Sequence, residues 1–388
     1  MDFNFSEAEE RFRREVRSFL QQEIPPDWEG IEEAAERDES WAFAKRFNRK
    51  LGAKGWLSLA WPTAFGGQGR SQMENLVFKE EMTYFFYRSP AAVAELDIVA
   101  PALMAFGSEK QKRELLPLIA RGEAFFALGY TEPETGSDLS SLRTRAAAAG
   151  DDFIINGQKT FISAAHRATH CWLAARTDLE APKHRGISLF ALEMPAPGIT
   201  VRPLMNMAGF AHFNEVYFDN VRLSRETLVG ELNRGWYHVA AALDFERSGI
   251  QRITAVLPLF DQLVEWLKGQ NKPVSKVMRH RLAEIALEFQ IGRVLSYRVV
   301  WMQSSGLVPN YEASIAKVFG SELSQRFANV AMQALGLYGA LEEGSPGAVL
   351  MGRVQRAYRR NIATTIQAGT SEVQRNIVAT RGLGLSRA

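Results

Sequence analysis

Apolar positions fall at helical spacing at both ends of the chain and alternate in short runs in the middle. Near the start, Phe12, Val16, Phe19 and Leu20 repeat every three or four residues, the pattern of one buried helix face. Ser6-Glu7-Ala8-Glu9 ahead of them is a capping-box pattern, because a serine hydroxyl and a glutamate three residues later satisfy each other's free N–H groups. Pro25-Pro26 stops that helix. Further helices are predicted over Ser40–Leu51, Gln72–Phe86 and Glu109–Ile119, with a turn-rich loop at Trp61–Gly69. From about Phe125 to Val229 the runs shorten to Phe153-Ile154-Ile155, Cys171–Ala174, Ile187–Leu192, Ile199-Thr200-Val201 and Val216-Tyr217-Phe218. These predict strands, with Asn156-Gly157 as a hairpin turn. Beyond Trp236 helical spacing returns, as in Leu282, Ile285, Ala286 and Phe289, then Ala316, Val318, Phe319 and Leu323. The expected order is a helical domain over 1–125, a β-barrel domain over 126–230 and a helical bundle over 231–388. The fold class is therefore α+β.

Composition narrows the function without naming it. The chain has 388 residues, is 46% hydrophobic and carries a net charge of +2. A near-balanced charge supplies no field that would favour nucleic acid. One cysteine, Cys171, excludes an intrachain disulfide. No apolar run reaches the roughly 20 residues of a membrane span. The charged N-terminus lacks the apolar core of a signal peptide, so a cytoplasmic protein is expected. His166 and His170, four apart in a β-region, are expected on one strand face as surface or hydrogen-bonded residues and not as metal ligands, since the histidines show no metal-ligand spacing. Arg353, Arg356, Arg359 and Arg360 are expected on a solvated or intersubunit salt-bridging helix face and not as a nucleic-acid patch.

The densest chemical signal is Gly129–Asp138, whose hydroxyls and free N–H groups suit a heterocycle edge or a phosphate but also suit an ordinary turn. Its string Thr131-Glu132-Pro133-Glu134-Thr135-Gly136-Ser137-Asp138 resembles the first signature of the acyl-CoA dehydrogenases, TEPxxGSD. Pro62 with Gly66-Gly67-Gln68-Gly69 is similar to that family's PxxxGGxG loop. Gly107–Lys112 resembles its GxExQK helix start, and Asn156-Gly157-Gln158-Lys159 its hairpin INGxK. Phe213–Val221 resembles the end of its β-domain, and Gly369–Asn376 its second signature, GTxExQR. The motifs fall in family order across nearly the whole chain.

The resemblance implies an FAD enzyme that oxidises a CoA thioester between its α and β carbons and passes electrons to an electron-transfer flavoprotein. It places Leu128, Tyr130 and Thr131 along the isoalloxazine, with Phe161 and Ser163 where the family has Trp and Thr. It places Thr370 and Glu372 at the adenosine half, and Gly136 and Ser137 along CoA or the acyl chain. Many members carry the catalytic base immediately before the second signature, where this chain has Ala368. In the isovaleryl and long-chain type the base follows the β-domain, and there this chain reads Leu243-Asp244-Phe245-Glu246-Arg247. Glu246 is thus the expected base, Arg247 its neighbour in charge balance, and the Ala368 backbone N–H a donor to the thioester carbonyl. The family's RxxFG clamp for the flavin diphosphate is absent from Lys268–Val274, and its GGxG segment is altered to Gly336-Leu337-Tyr338-Gly339. Either Lys272 or Arg281 replaces the clamp, or a paralogous partner supplies it. A homotetramer and an α2β2 heterotetramer both remain open, the second as in steroid side-chain and some dicarboxylyl-CoA enzymes of the family.

Overall fold

A computed structural model describes residues 4–26, 28, 36–85, 95–245, 249–271 and 273–386. The chain forms two compact units. One combines Met1–Trp28, Ser71–Arg88 and Arg247–Ala388, and the other Glu29–Arg70 and Ser89–Glu246.

The second unit holds the sheet. Its strands are β1 (Phe126–Gly129), β2 (Arg145–Ala149), β3 (Asp152–Ser163), β4 (His170–Arg176), β5 (Ile187–Glu193), β6 (Ile199–Leu204), β7 (Phe213–Ser224) and β8 (Leu228–Val229). They pair in the order β6-β7-β3-β2-β4-β5-β8, and β1 joins β4 in parallel. Alternate residues of these strands, among them Phe153, Ile155, Leu173, Phe190, Val216 and Phe218, close on one buried core. The period-2 pattern read from the sequence is the inward face of this domain. The opposite face of β4 and β5 packs Trp172, Leu189 and Ala191 under the helices Ala100–Phe106 and Glu109–Ala120. Cys171 is buried in β4, and burial pushes its thiol up to about 12.

Three expectations need correction. Asn156-Gly157 is not a turn, for β3 runs straight through it. The hairpin turns instead at Gly150, φ 64°, between β2 and β3. A Cβ on Gly157 would lie 2.6 Å from Thr144 Oγ1, so the glycine serves close strand approach. Asn156 meets Asn220 across a register shift, accepting its N–H at 2.9 Å. His166 is not on a strand. It lies in the 3₁₀ turn Ala165–Arg167 and bonds Asn214 Oδ1 at 3.0 Å. Arg356 is not solvated; it is buried within the chain and reaches Glu343 at 2.7 Å.

The first unit is helical. Glu7–Glu23 has the predicted capping box at Ser6. It packs with Gln72–Phe85 and with Lys276–Ser304, whose register is set by buried charge. Arg13 Nη1 donates to Glu80 at 2.6 Å and to Glu81 at 3.0 Å. Arg293 Nε and Tyr297 OH both donate to Glu80 Oε1 at 2.8 Å. Burial alone would push the Arg13 guanidinium down, but the two carboxylates outweigh it and hold it above its ordinary value. The longer helices Lys276–Ser304 and Tyr311–Leu335 then close a second core through Phe289 and Phe327, with Phe260 between them.

Removing Arg13 leaves Glu80 with Arg293 and Tyr297 and Glu81 with Arg17, so the loss is of charge-assisted bonds and not of all compensation. Arg13→Met should cost about 1.5–3 kcal/mol, read as a lower midpoint in chemical denaturation. A midpoint equal to that of the wild type would mean that water already screens Glu80 and Glu81.

Candidate functional site

The first signature is held by a buried ion pair. Lys159, fully buried in β3, donates to Glu132 Oε1 at 2.8 Å and to the Tyr130 carbonyl at 3.0 Å. Glu132 also accepts the Arg143 and Thr144 N–H groups at 2.6 and 2.8 Å. Burial alone would raise the Glu132 carboxyl. The Lys159 ammonium and the N–H donors outweigh burial and hold it below the ordinary range. Burial pushes the Lys159 amine down while Glu132 opposes that shift.

This pair fixes which residues meet. Leu128 lies on β1, and Tyr130 and Thr131 follow it, all three half-buried. Thr160 N–H donates to the Thr131 carbonyl at 2.9 Å, so the loop runs beside the end of β3. There the pairing of β3 with β7 slips between Lys159 and Ile162. The bulge puts Phe161 at φ 56° and turns its ring outward, 59% exposed. A non-glycine residue held there stores on the order of 1–3 kcal/mol, a cost that clusters at functional sites. Ser163 ends the strand, exposed. The structure thus brings Leu128, Tyr130 and Thr131 to the same strand end as Phe161 and Ser163. Gly136 and Ser137 are exposed on the turn after the Glu132–Thr135 bridge, and nothing lies within 4 Å of a Cβ placed on Gly136. Thr135 Oγ1 is buried there with no hydrogen-bond partner.

A second carboxylate pins the start of β1. Glu95, on the π-helical turn Glu95–Val99, accepts the Phe126 N–H at 2.5 Å. Burial raises its carboxyl from 4.5 to about 7 despite that bond.

Ala368, Thr370 and Glu372 lie on the helical unit. Ala368 and Gly369 are consecutive left-handed residues, φ 54° and 81°. Ala368 is exposed, and its N–H has no hydrogen-bond partner among the described residues. Thr370 caps the next helix, its hydroxyl accepting Val373 N–H at 3.2 Å. Glu372 follows, exposed, with its carboxyl lowered by backbone hydrogen bonding and by Thr370. Glu246, Arg247 and Lys272 lie outside the described residues. Arg281 is committed to Gln333.

Sequence profiles for the acyl-CoA dehydrogenase N-terminal, middle and C-terminal domains match residues 6–123, 127–221 and 233–383. The chain belongs to the acyl-CoA dehydrogenase family. Acyl-CoA dehydrogenase FadE26 of Mycobacterium tuberculosis is 35% identical, with all of both chains covered. FadE29 of the same organism is also 35% identical, covering 100% of this chain and 99% of its own. Two solved structures match over 100% of both chains. The Tcur3481–Tcur3483 steroid ACAD has a TM-score of 0.92 at 33% identity, and the ChsE4–ChsE5 complex from Mycobacterium tuberculosis 0.89 at 35%. The fold is that of the family, and the chain is an acyl-CoA dehydrogenase oxidoreductase of a flavoprotein family. Among the described residues no three His, Cys, Asp or Glu side chains group as metal ligands, and no helix is long and apolar enough to cross a membrane.

Reading the motifs alone missed the roles of Lys159, Glu132 and Glu95. One signal was present: a lysine at the inward register of a strand of apolar neighbours demands a buried partner.

Two experiments test this geometry. Lys159→Met should destabilise the protein by about 3–5 kcal/mol by leaving Glu132 charged and buried, and the double variant Lys159→Met/Glu132→Leu should recover part of that loss. Additive losses in the denaturation cycle would refute the coupling. For Glu95 the folded value is raised, so its stabilisation is complete below 4.5 and is lost as pH rises through about 7. Glu95→Gln keeps the acceptor for Phe126 and cannot ionise. Its melting temperature relative to the wild type should rise between pH 5 and 8, and a constant difference would contradict the burial.

Proposed function

We propose that the chain binds FAD and converts an acyl-CoA thioester to the trans-2-enoyl-CoA, with Glu246 as base. The observation that supports a flavin most directly is Phe161, strained and exposed beside Leu128, Tyr130 and Thr131. An aromatic face next to hydroxyls and half-buried apolar groups suits a flat heterocycle with one polar edge. Thr131 and Ser163 would offer hydroxyls to that edge, and Thr370 and Glu372 would hold the adenosine half. FAD, when bound, supplies the acceptor for the β-hydride.

The chain's own residues then have separate duties. Glu246 takes the α-proton, work that suits a carboxylate raised toward neutrality by partial desolvation. Arg247 balances charge beside it. Ala368 cannot be a base, but its outward N–H can donate to the thioester carbonyl and stabilise the developing enolate. Gly136 and Ser137 would line CoA or the acyl chain. A methyl at Ala368, where relatives carry a glutamate, leaves room for a branched or ring-bearing acyl group. Similarity to a structure named as a steroid ACAD supports the same class. Reoxidation by an electron-transfer flavoprotein completes the cycle.

For assembly, Leu287, Ile291, Val294 and Trp301 form an exposed apolar stripe at helical spacing on Lys276–Ser304, which supports oligomerisation. The missing RxxFG segment, with Leu337 and Tyr338 exposed in the altered glycine segment, favours a second reading: a half-site subunit whose paralogous partner completes the diphosphate clamp in an α2β2 assembly. Similarity to a two-protein complex supports it.

Two measurements decide between them. Glu246→Gln should retain acyl-CoA binding and slow flavin reduction by at least about a thousandfold, and wild-type turnover would sink the assignment of the base. Purified alone with FAD, a self-sufficient enzyme shows a flavin absorbance that acyl-CoA bleaches. A colourless chain that gains flavin only with a paralogue supports the half-site reading.

A further inference from the structure

The Ala368–Gly369 turn is suspended between two anchors on one helix. Tyr311–Leu335 presents Lys317, Ser321, Ser324 and Gln325 along one face, at the spacing that puts side chains in line. Opposite them the chain leaves the helix Arg353–Asn361 through the 3₁₀ turn Ile362–Thr365. The carbonyls at such an end have no partners within the helix. Here the long helix supplies donors. Gln325 Nε2 donates to the Asn361 and Ile362 carbonyls at 3.1 and 3.3 Å and to Thr365 Oγ1 at 3.0 Å. Lys317 Nζ donates to the Thr364 carbonyl at 3.2 Å. The turn reciprocates, as Asn361 Nδ2 donates to the Ser324 carbonyl at 3.0 Å and Thr364 Oγ1 to that of Ser321 at 3.1 Å. Beyond the turn, Arg375 Nη2 donates to Glu322 Oε1 at 2.7 Å. Chain before and after Ala368 is therefore tied to the same rigid element.

We propose that the Tyr311–Leu335 helix positions the Ala368 N–H: Gln325 and Lys317 hold the chain before it, and Glu322 holds the chain after it through Arg375. Gln325 and Lys317 are positioning residues, and the inference rests on the reading of Ala368 as the donor to the thioester carbonyl. The investment is unusual for a helix end. Lys317 is buried beside Arg252, and burial with that second cation pushes its amine down to about 8. Water would satisfy these carbonyls at lower cost. Fixing them matters where the next residues must keep two left-handed conformations and aim one N–H, since a displacement of about 1 Å costs on the order of a hundredfold in rate.

Two variants test this in the full chain with FAD and, where flavin binding needs it, the partner. Gln325→Glu keeps the shape of the side chain and removes the donor. Lys317→Met keeps the packing and removes the charge. Hydrogen exchange reads the loop without reference to activity, and stopped-flow flavin reduction reads the site, using the acyl-CoA that reduces the wild-type flavin fastest among straight, branched and ring-bearing thioesters. The expected result is exchange at Ile366 and Gln367, whose N–H groups are held by the Ala363 carbonyl, faster by at least about tenfold, reduction slower by at least about tenfold, and KM within about threefold of the wild type. Unchanged exchange in both variants overturns the inference whatever the activity. Faster exchange with an unchanged reduction rate overturns it as well, because the loop would then be held for another reason. A wild-type flavin that no acyl-CoA reduces overturns the proposed reaction instead, and exchange alone then decides whether the helix holds the turn.

Discussion

The Lys159–Glu132 ion pair is the constraint on which the candidate flavin surface depends. A lysine with no exposed area is costly to bury, and its attraction to one carboxylate rarely repays the desolvation of both. The arrangement closes because the partners do more than neutralise each other. Glu132 gathers two backbone N–H groups besides the ammonium, and Lys159 gathers the Tyr130 carbonyl besides the carboxylate. Every one of those backbone groups belongs to the signature loop or its exit. Had an apolar pair stood here, the core would pack, but these three ties from the pair to the backbone of residues 130–144 would be lost.

That specificity bears on strain. Phe161 holds a left-handed conformation next to Lys159 and Thr160, and strain of this kind persists only where neighbours over-determine the backbone. Lys159 fixes the strand from its inward side. The Thr160 N–H fixes it from the loop side, and β7 resumes pairing at Ile162. The bulged residue has no alternative but to face outward. Glu95 acts in the same way two strands earlier, since its bond to the Phe126 N–H sets where β1 begins. Two buried carboxylates therefore locate Leu128 and Phe161, although neither is itself placed to touch a ligand.

How much of this was legible depended on the range of the interactions. Local features read directly: Ser6 and Ser108 cap their helices as capping boxes, and the helix predicted over Glu109–Ile119 is found over Glu109–Ala120. The residues named by the motifs lie on β1 and the loop after it, at the end of β3, and at the start of the helix Ser371–Ile377. Asn156-Gly157 misled because a dipeptide that favours a turn also serves a strand wherever two backbones must approach closely, and only Thr144, from a neighbouring strand, reveals which applies. His166 is hydrogen-bonded as expected and only its strand placement failed; that and the solvated or intersubunit placement of Arg356 turn on partners elsewhere in the chain, Asn214 and Glu343. The left-handed geometry of Phe161 and Ala368 left no trace in residue type, since neither phenylalanine nor alanine favours it.

Ala368 shows why such a departure can be productive. In the proposed reaction one residue of the second signature need not be both proton acceptor and hydrogen-bond donor. With the base moved to Glu246, the position before Gly369 retains only a backbone duty, and a backbone N–H is aimed by φ and ψ rather than by a side-chain rotamer. Accuracy then has to come from whatever fixes those angles. Two successive left-handed residues are easily lost from a free loop, because alanine gains on the order of 1 kcal/mol by leaving that region. Anchors on both sides, drawn from one long helix, remove that escape without placing any bulk beside Ala368. In the proposed reaction a small side chain, a displaced base and a tightly held turn would thus answer a single requirement, namely a rigid donor with space beside it for the acyl group.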